Sequence, residues 1–155
     1  VGSRNLWLLK KATDDWWKVI DKYPQIVDLL RDVPGCVLYG EVYGDVQDLR
    51  YGMSNGEVDF AAFDLRSESG PFYHYENFLY AMFAYKIPVV PLLTTAPIPY
   101  DPDQILEMAE GKTLIEGANH IREGVVVRPL MERLDPTVGR VVLKVVSTAY
   151  LETQK

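Results

Sequence analysis

Cysteine is almost missing from this chain: Cys36 stands alone among 155 residues, which excludes an internal disulfide and a thiolate metal cluster. Histidine is scarce as well, with only His74 and His120. No apolar run approaches the roughly 20 residues that a membrane-spanning helix needs, so no membrane partner is expected. There is no internal repeat, no low-complexity tract and no visible signal peptide. These absences together fit a reducing, intracellular setting, and we expect a cytoplasmic protein. An initiator methionine is lacking too: the chain opens Val1-Gly2-Ser3-Arg4, from which we expect a natural N-terminus further upstream.

What is present is ordinary in bulk. Hydrophobic residues make up 48% and charged residues 25%, the balance of a globular protein, and the length suits one domain with a real core. Charge is distributed unevenly. Residues 1–22 hold five basic and three acidic side chains, residues 120–155 hold six and four, and residues 23–119 hold five and fifteen. The overall charge of −6 argues against a nonspecific nucleic-acid binder. A polyphosphate site lined by Arg4, Arg122, Arg128, Arg140 and Lys144 remains compatible with it.

The pattern predicts mixed elements. Leu6 to Leu9 reads as the end of a strand. Thr13 is placed to cap a helix beginning Asp14-Asp15-Trp16-Trp17, and Pro24 to open a second helix through Leu30. Strands are expected over 36–43 and 58–65, with Asn55-Gly56 the sharpest turn signal between them. Asn77 to Tyr85 reads as an amphipathic helix, and Val89–Leu92 as a short strand. Asp101-Pro102 begins a helix that Gly111 can end. Two β runs, 123–128 and 140–147, suggest an antiparallel pair. Without regular βαβ alternation the fold class is α+β, antiparallel-rich sheets with flanking helices.

Three of these strands carry charges that a buried strand has no use for. Glu123 stands directly ahead of Gly124-Val125-Val126-Val127, where an unpaired carboxylate would lose several kcal/mol of hydration in a fully buried strand, so a cation is expected opposite it. Glu41 lies inside Gly40-Glu41-Val42-Tyr43-Gly44, and Lys144 inside Leu143-Lys144-Val145-Val146. Each has a plainer reading alone: an exposed edge strand for Glu41, an ion pair with Arg122 or Arg140 for Glu123, a snorkelling side chain for Lys144. Phe63 alone reads as core, as do Trp7, Trp16 and Trp17 as core and interface. His74 reads as structural, whereas His120 is near enough to Glu123 in sequence to touch its site.

In order along the chain, these residues resemble the motifs of the covalent nucleotidyltransferases, the superfamily of ATP-dependent RNA and DNA ligases and mRNA capping enzymes. The strings Gly40-Glu41-Val42-Tyr43-Gly44-Asp45-Val46-Gln47, His120-Ile121-Arg122-Glu123-Gly124-Val125-Val126-Val127-Arg128-Pro129 and Lys144-Val145-Val146-Ser147-Thr148-Ala149-Tyr150-Leu151 are most similar to ATP-dependent RNA ligases of the Deinococcus type. The resemblance runs from Gly2 to Leu151. It implies a nucleotidyltransferase fold, the ATP-grasp-like adenylation domain of a ligase, here in part. Arg4 then contacts phosphate or ribose, Glu41 holds the ribose or orients the lysine nucleophile, and Phe63 stacks on adenine. Glu123 binds the metal, and Lys144 meets the α-phosphate. The implied cofactors are ATP and Mg²⁺ (or Mn²⁺), and the implied partners are RNA or RNA/DNA ends. A hard Mg²⁺ takes one or two carboxylates plus phosphates and water, which suits a lone Glu123.

The chain departs from that pattern in two places. The superfamily's Lys-x-(Asp/His)-Gly nucleophile occurs nowhere between Val1 and Lys155, so an N-terminally truncated adenylation domain, unable by itself to adenylylate a lysine, is expected. Relatives often carry two lysines two apart in the last motif, and Val146 stands where the second would be. The same residues would also serve a DNA ligase, a capping-type enzyme, or a catalytically inactive nucleotide or RNA-end binding module on the same fold. A structural α+β domain with salt-bridged acids is the plainest alternative.

Overall fold

The computed structural model describes residues 1–3, 6–11, 14–47, 49–94 and 96–154. They form two compact units, Val1–Val90 and Pro91–Lys155.

The first unit opens with a short antiparallel pair, β1 (Gly2–Ser3) and β2 (Leu6–Trp7). Trp7 is 88% exposed, so the core role expected for it is not what the structure gives. Helix α1 spans Asp15–Lys22, and its N-cap is Asp14 rather than Thr13, whose placement lies outside the described residues. The Asp14 carboxylate accepts from the Trp16 amide at 3.0 Å, which satisfies a donor that the first turn cannot. Asp15 in the first turn and Lys22 in the last complement the helix dipole. Pro24 is the N-cap of α2 (Gln25–Asp32).

Strand β3 (Val37–Gly44) pairs antiparallel with β4 (Val58–Arg66), one residue displaced from the sequence-based bounds at most. Trp16, Val19, Ile20 and Tyr23 recur at helical spacing and face Val42, Phe60, Ala62 and Leu65 on one side of that ladder. Phe78 and Met82 of α3 (Tyr75–Ala84) complete the core. Fully burying a side chain of this kind stabilises by roughly 1.5–3 kcal/mol. The strand expected at 89–92 is only a parallel bridge of Val89 to Ala62. Pro88 and Pro91 flank it, and proline cannot donate to a ladder, so pairing stops after one bridge.

In the second unit, α4 (Pro102–Ala109) starts where expected, with Asp101 accepting from the amides of Asp103 and Gln104 and Pro102 at the first position. β5 (Gly124–Val127) pairs antiparallel with β8 (Leu143–Val146). Between them a small hairpin, β6 (Leu134–Asp135) and β7 (Gly139–Arg140), folds on itself. The Asp135 carboxylate accepts from the Thr137 and Val138 amides and so fixes its turn. α5 (Thr148–Thr153) follows, capped by Ser147. Every ladder among the described residues is antiparallel, as the α+β reading expects. No helix among the described residues is long and apolar enough to cross a membrane.

Candidate functional site

Two candidate residues share one side of a ladder in the first unit, one of them at an irregularity. Tyr39 pairs with Asp64 and Gly40 with Ala62, so Phe63 is the extra residue of a β-bulge. Glu41 pairs with Ala61, and Phe63 follows Ala61 by two, which places Phe63 on the same side of the ladder as Glu41, opposite the core side of Val42 and Phe60. Phe63 is half-buried and Glu41 is exposed, so the core reading of Phe63 alone gives way to a partly available ring beside an available acid. Gly40 has a reason of its own: a Cβ there would sit 2.1 Å from the Phe60 ring, which packs under the strand at that point. Glu41 accepts from Gln47 Nε2 at 2.9 Å.

The second unit carries the other two. Lys144 lies inside β8 opposite Val126, and both are exposed. Among the described residues Lys144 makes no ion pair. The strand that follows Glu123 is therefore not fully buried, in contrast to its apolar sequence; Val126 is 62% exposed. Glu123 is half-buried and stands one residue before β5, and its carbonyl accepts from the Ser147 amide at 2.8 Å. Gly124 is required beside it. Its φ is +153°, and an added Cβ would lie 2.0 Å from the Val145 carbonyl oxygen, a backbone atom that cannot step aside. Gly124→Ala is expected to cost roughly 1–3 kcal/mol through the strand shift it forces, read as a lower thermal midpoint.

Charged side chains hold the segments around Glu123 in place. Arg122 closes the end of α4: its guanidinium donates to the carbonyls of Met108, Glu110 and Lys112, and its amide to that of Gly111. A cation on the last carbonyls of a helix satisfies acceptors that have no intrahelical donor. The Glu110 side chain reaches the other way, to the Thr148 amide at 2.6 Å, the Ser147 hydroxyl at 3.0 Å and the Ala149 amide at 3.4 Å. The Thr148 amide first, then Ser147 and Ala149, hold the Glu110 carboxyl below its usual range.

Arg140 meets Glu132 through two contacts, at 2.6 and 2.9 Å, and Arg128 reaches the same carboxylate at 3.2 Å. Arg122, Arg128 and Arg140 are thus each engaged with acceptors of their own unit. Arg4 lies outside the described residues. His120 bonds the Ile121 carbonyl through Nδ1 at 2.7 Å.

A depression of about 380 Å³ lies in the first unit, lined by Lys18, Lys22, Met53, Gly56, Glu57 and Val58, and none of the candidate residues lines it. Its lysines are already neutralised, Lys18 by Asp15 at 2.6 Å and Lys22 by Asp59 at 3.2 Å. Burial pushes the Cys36 thiol up, away from the thiolate form. Among the described residues no group of three or more His, Cys, Asp and Glu gathers as a self-sufficient metal cage. The donor that Glu123 offers, one hard carboxylate oxygen set, suits a Mg²⁺ or Mn²⁺ that shares its ligands with phosphate and water.

Antiparallel ladders carrying an acid and a bulged aromatic in one unit, and an acid and a lysine in the other, form a nucleotidyltransferase-type fold. The RNA ligase profile matches residues 1–146, and the chain belongs to the RNA ligase family. Among solved structures, a lysine-to-methionine mutant of Naegleria gruberi RNA ligase with AMP and Mn matches at 24% identity and a TM-score of 0.76. A lysine-to-alanine mutant of the same protein with ATP and Mn matches at the same values. The form with PPi matches at 25% identity and a TM-score of 0.76. Each match covers 94% of this chain and 42% of the other, so the chain spans less than half the length of these relatives. A comparison with curated proteins finds no match.

Proposed function

We propose that this chain is part of the adenylation domain of an ATP-dependent RNA ligase. The observation that carries the reading is the family match over residues 1–146 together with Glu41 and Phe63 on one side of the β3–β4 ladder. In the reaction a lysine amine attacks the α-phosphate of ATP and forms a phosphoramide bond as pyrophosphate leaves. AMP then passes to a nucleic-acid 5′-phosphate, and a 3′-hydroxyl displaces it to form the phosphodiester. That the Naegleria gruberi structures hold ATP or AMP with Mn supports the same nucleotide and a divalent metal here.

Each candidate residue has a part in this scheme. Phe63 stacks on adenine and Glu41 accepts from the ribose. Lys144 offsets negative charge that develops on the α-phosphate, where a preorganised cation acts on the transition state more than on the ground state. Glu123 would hold the divalent metal, which when bound neutralises phosphate charge and orients the leaving pyrophosphate. That Glu41, Phe63, Glu123 and Lys144 each act on the nucleotide, and Arg4 on its phosphate or ribose, is part of the proposal and rests on the ordered motifs. An intracellular location, with RNA ends as partners, follows from the same reading.

The test is covalent labelling. The full product of the gene, incubated with α-labelled ATP and Mg²⁺, is expected to yield a lysine-linked AMP adduct. The 155-residue chain alone, which contains no Lys-x-(Asp/His)-Gly string, is expected to yield none. Phe63→Ala should weaken ATP binding by about 1–3 kcal/mol, roughly 10- to 100-fold, through loss of base stacking. A labelled full-length protein whose ATP affinity ignores Phe63 would remove that residue from the site, and no adduct at all would favour a nucleotide-binding module without catalysis.

A further inference from the structure

We infer that Gln47 is a positioning residue for Glu41, setting which carboxylate oxygen is offered to the ribose of the bound nucleotide; the inference rests on the ribose-binding reading of Glu41.

The segment after β3 is built to return Gln47 to the strand. Its amide donates to the Gly44 carbonyl at 3.2 Å, and its own carbonyl accepts from Arg50 at 3.1 Å, which fixes the backbone at both sides. The loop is tied down further by Arg50 on Asp45 at 3.3 Å and by the Tyr51 ring, edge-on to Tyr43 with centroids 5.2 Å apart. Tyr43 is two residues from Glu41 on the same strand, so the loop is anchored on the Glu41 side of the ladder. Holding it costs strain. Arg50 and Tyr51 both have φ of 49°, consecutive left-handed conformations that bulky side chains rarely adopt.

The side-chain amide of Gln47 meets Glu41 in one orientation only. Gln47 Nε2 donates to Glu41 Oε1, and a carboxylate can only accept, so the amide cannot flip without setting oxygen against oxygen. The amide oxygen is thereby turned to a place shielded from solvent, where among the described residues no donor meets it. A buried acceptor without a donor is destabilising, and a leucine of similar size would remove that penalty. Glu41 is exposed and could take its hydrogen bond from water instead. Stability therefore gives no reason for a glutamine here. Its effect is to commit one oxygen of Glu41 and leave the other directed at a ligand. A ribose hydroxyl is the matching donor, and a misdirected acceptor would lose that bond.

The experiment compares the full gene product with its Gln47→Leu and Glu41→Gln variants, measuring enzyme–AMP formation with ATP and with 2′-deoxyATP alongside the melting temperature. Gln47→Leu is expected to lower the rate constant ratio kcat/KM for ATP about 10- to 100-fold, the scale seen when an outer-shell partner of a working ligand is removed. With 2′-deoxyATP the loss should be smaller, so the preference for the ribonucleotide narrows, and the melting temperature should hold or rise. Equal losses with the two nucleotides, or a lower melting temperature that accounts for the loss, would overturn the inference. An unchanged Gln47→Leu beside an impaired Glu41→Gln would overturn it while leaving Glu41 in the site. An unchanged Glu41→Gln would remove the ribose reading and this inference with it.

Discussion

Glu123→Gln, in the full product of the gene, is expected to slow enzyme–AMP formation by about 10²–10³-fold, the order found when one preorganised electrostatic contact is taken from a transition state. Glutamine keeps the shape of the side chain and most of its hydrogen-bonding capacity but gives a divalent cation no charge to bind. The main-chain link from the Ser147 amide to the Glu123 carbonyl does not involve the side chain, so the strand end should keep its place. The expected signature is a slow reaction in a protein that melts normally, relieved in part by raising the metal concentration. Rate and melting temperature belong on the same preparation. A normal rate in a well-folded variant would defeat the metal assignment, and a large loss of stability would make Glu123 a structural acid.

The second large effect is one of stability. Glu132 has a side chain only 9% exposed, against 15% for Arg128 and 22% for Arg140, and it is the acid that both arginines approach. Glu132→Ala leaves two poorly solvated guanidinium groups without it. Breaking such a pair from one side costs about 3–5 kcal/mol, and the residual exposure of Arg140 favours the lower end. For a chain of this size that is on the order of 10 °C in melting temperature.

The effect has a pH signature. Hydrogen bonds from Arg140, and then its charge and those of Arg128, hold the Glu132 carboxyl below its ordinary range. A group whose folded pKa is lowered contributes its stability fully above the unfolded value of about 4.3 and loses it as pH falls through the folded one. The gap between wild type and Glu132→Ala should therefore be widest near neutrality and narrow as the pH falls below about 4. A gap that is the same at acid and neutral pH would mean that packing, not charge, makes the difference.

Much of this architecture could be read from the residues. Asp101-Pro102 and Gly111 bracket α4 because an N-cap acid, a first-turn proline and a terminal glycine each answer a separate backbone need. The β5–β8 pair was legible from two valine-rich runs on either side of a turn-rich connection. Thr13 and Asp14 are both good caps, and nothing local chooses between adjacent candidates. The bulge at Phe63 was invisible, because register is a property of two strands and the sequence of one does not contain it. The engagement of Arg122 with the end of α4 spans more than ten residues and leaves no periodic trace. Glu132 lies only four and eight residues from its two arginines, but outside any helix that spacing carries no signal. Glu41, Glu123 and Lys144 stood out because a charge within a β run is conspicuous. Gln47, being neutral and in a loop, was not.

The ties at Arg122 also bear on how this protein could be altered. Gly111 and Arg122 are joined backbone to backbone, and Thr113 donates to His120 just inside them, so residues 114–119 form an outward excursion closed at its neck. Leu114, Glu116, Gly117 and Asn119 are exposed on it. Loop closure grows only slowly costlier with length, so added residues at Glu116-Gly117 would be absorbed beyond the neck. Glu123 lies on the near side of that neck. A reporter dye or an affinity handle placed in the excursion would therefore ride on the second unit without pulling on the acid that the chemistry is expected to need.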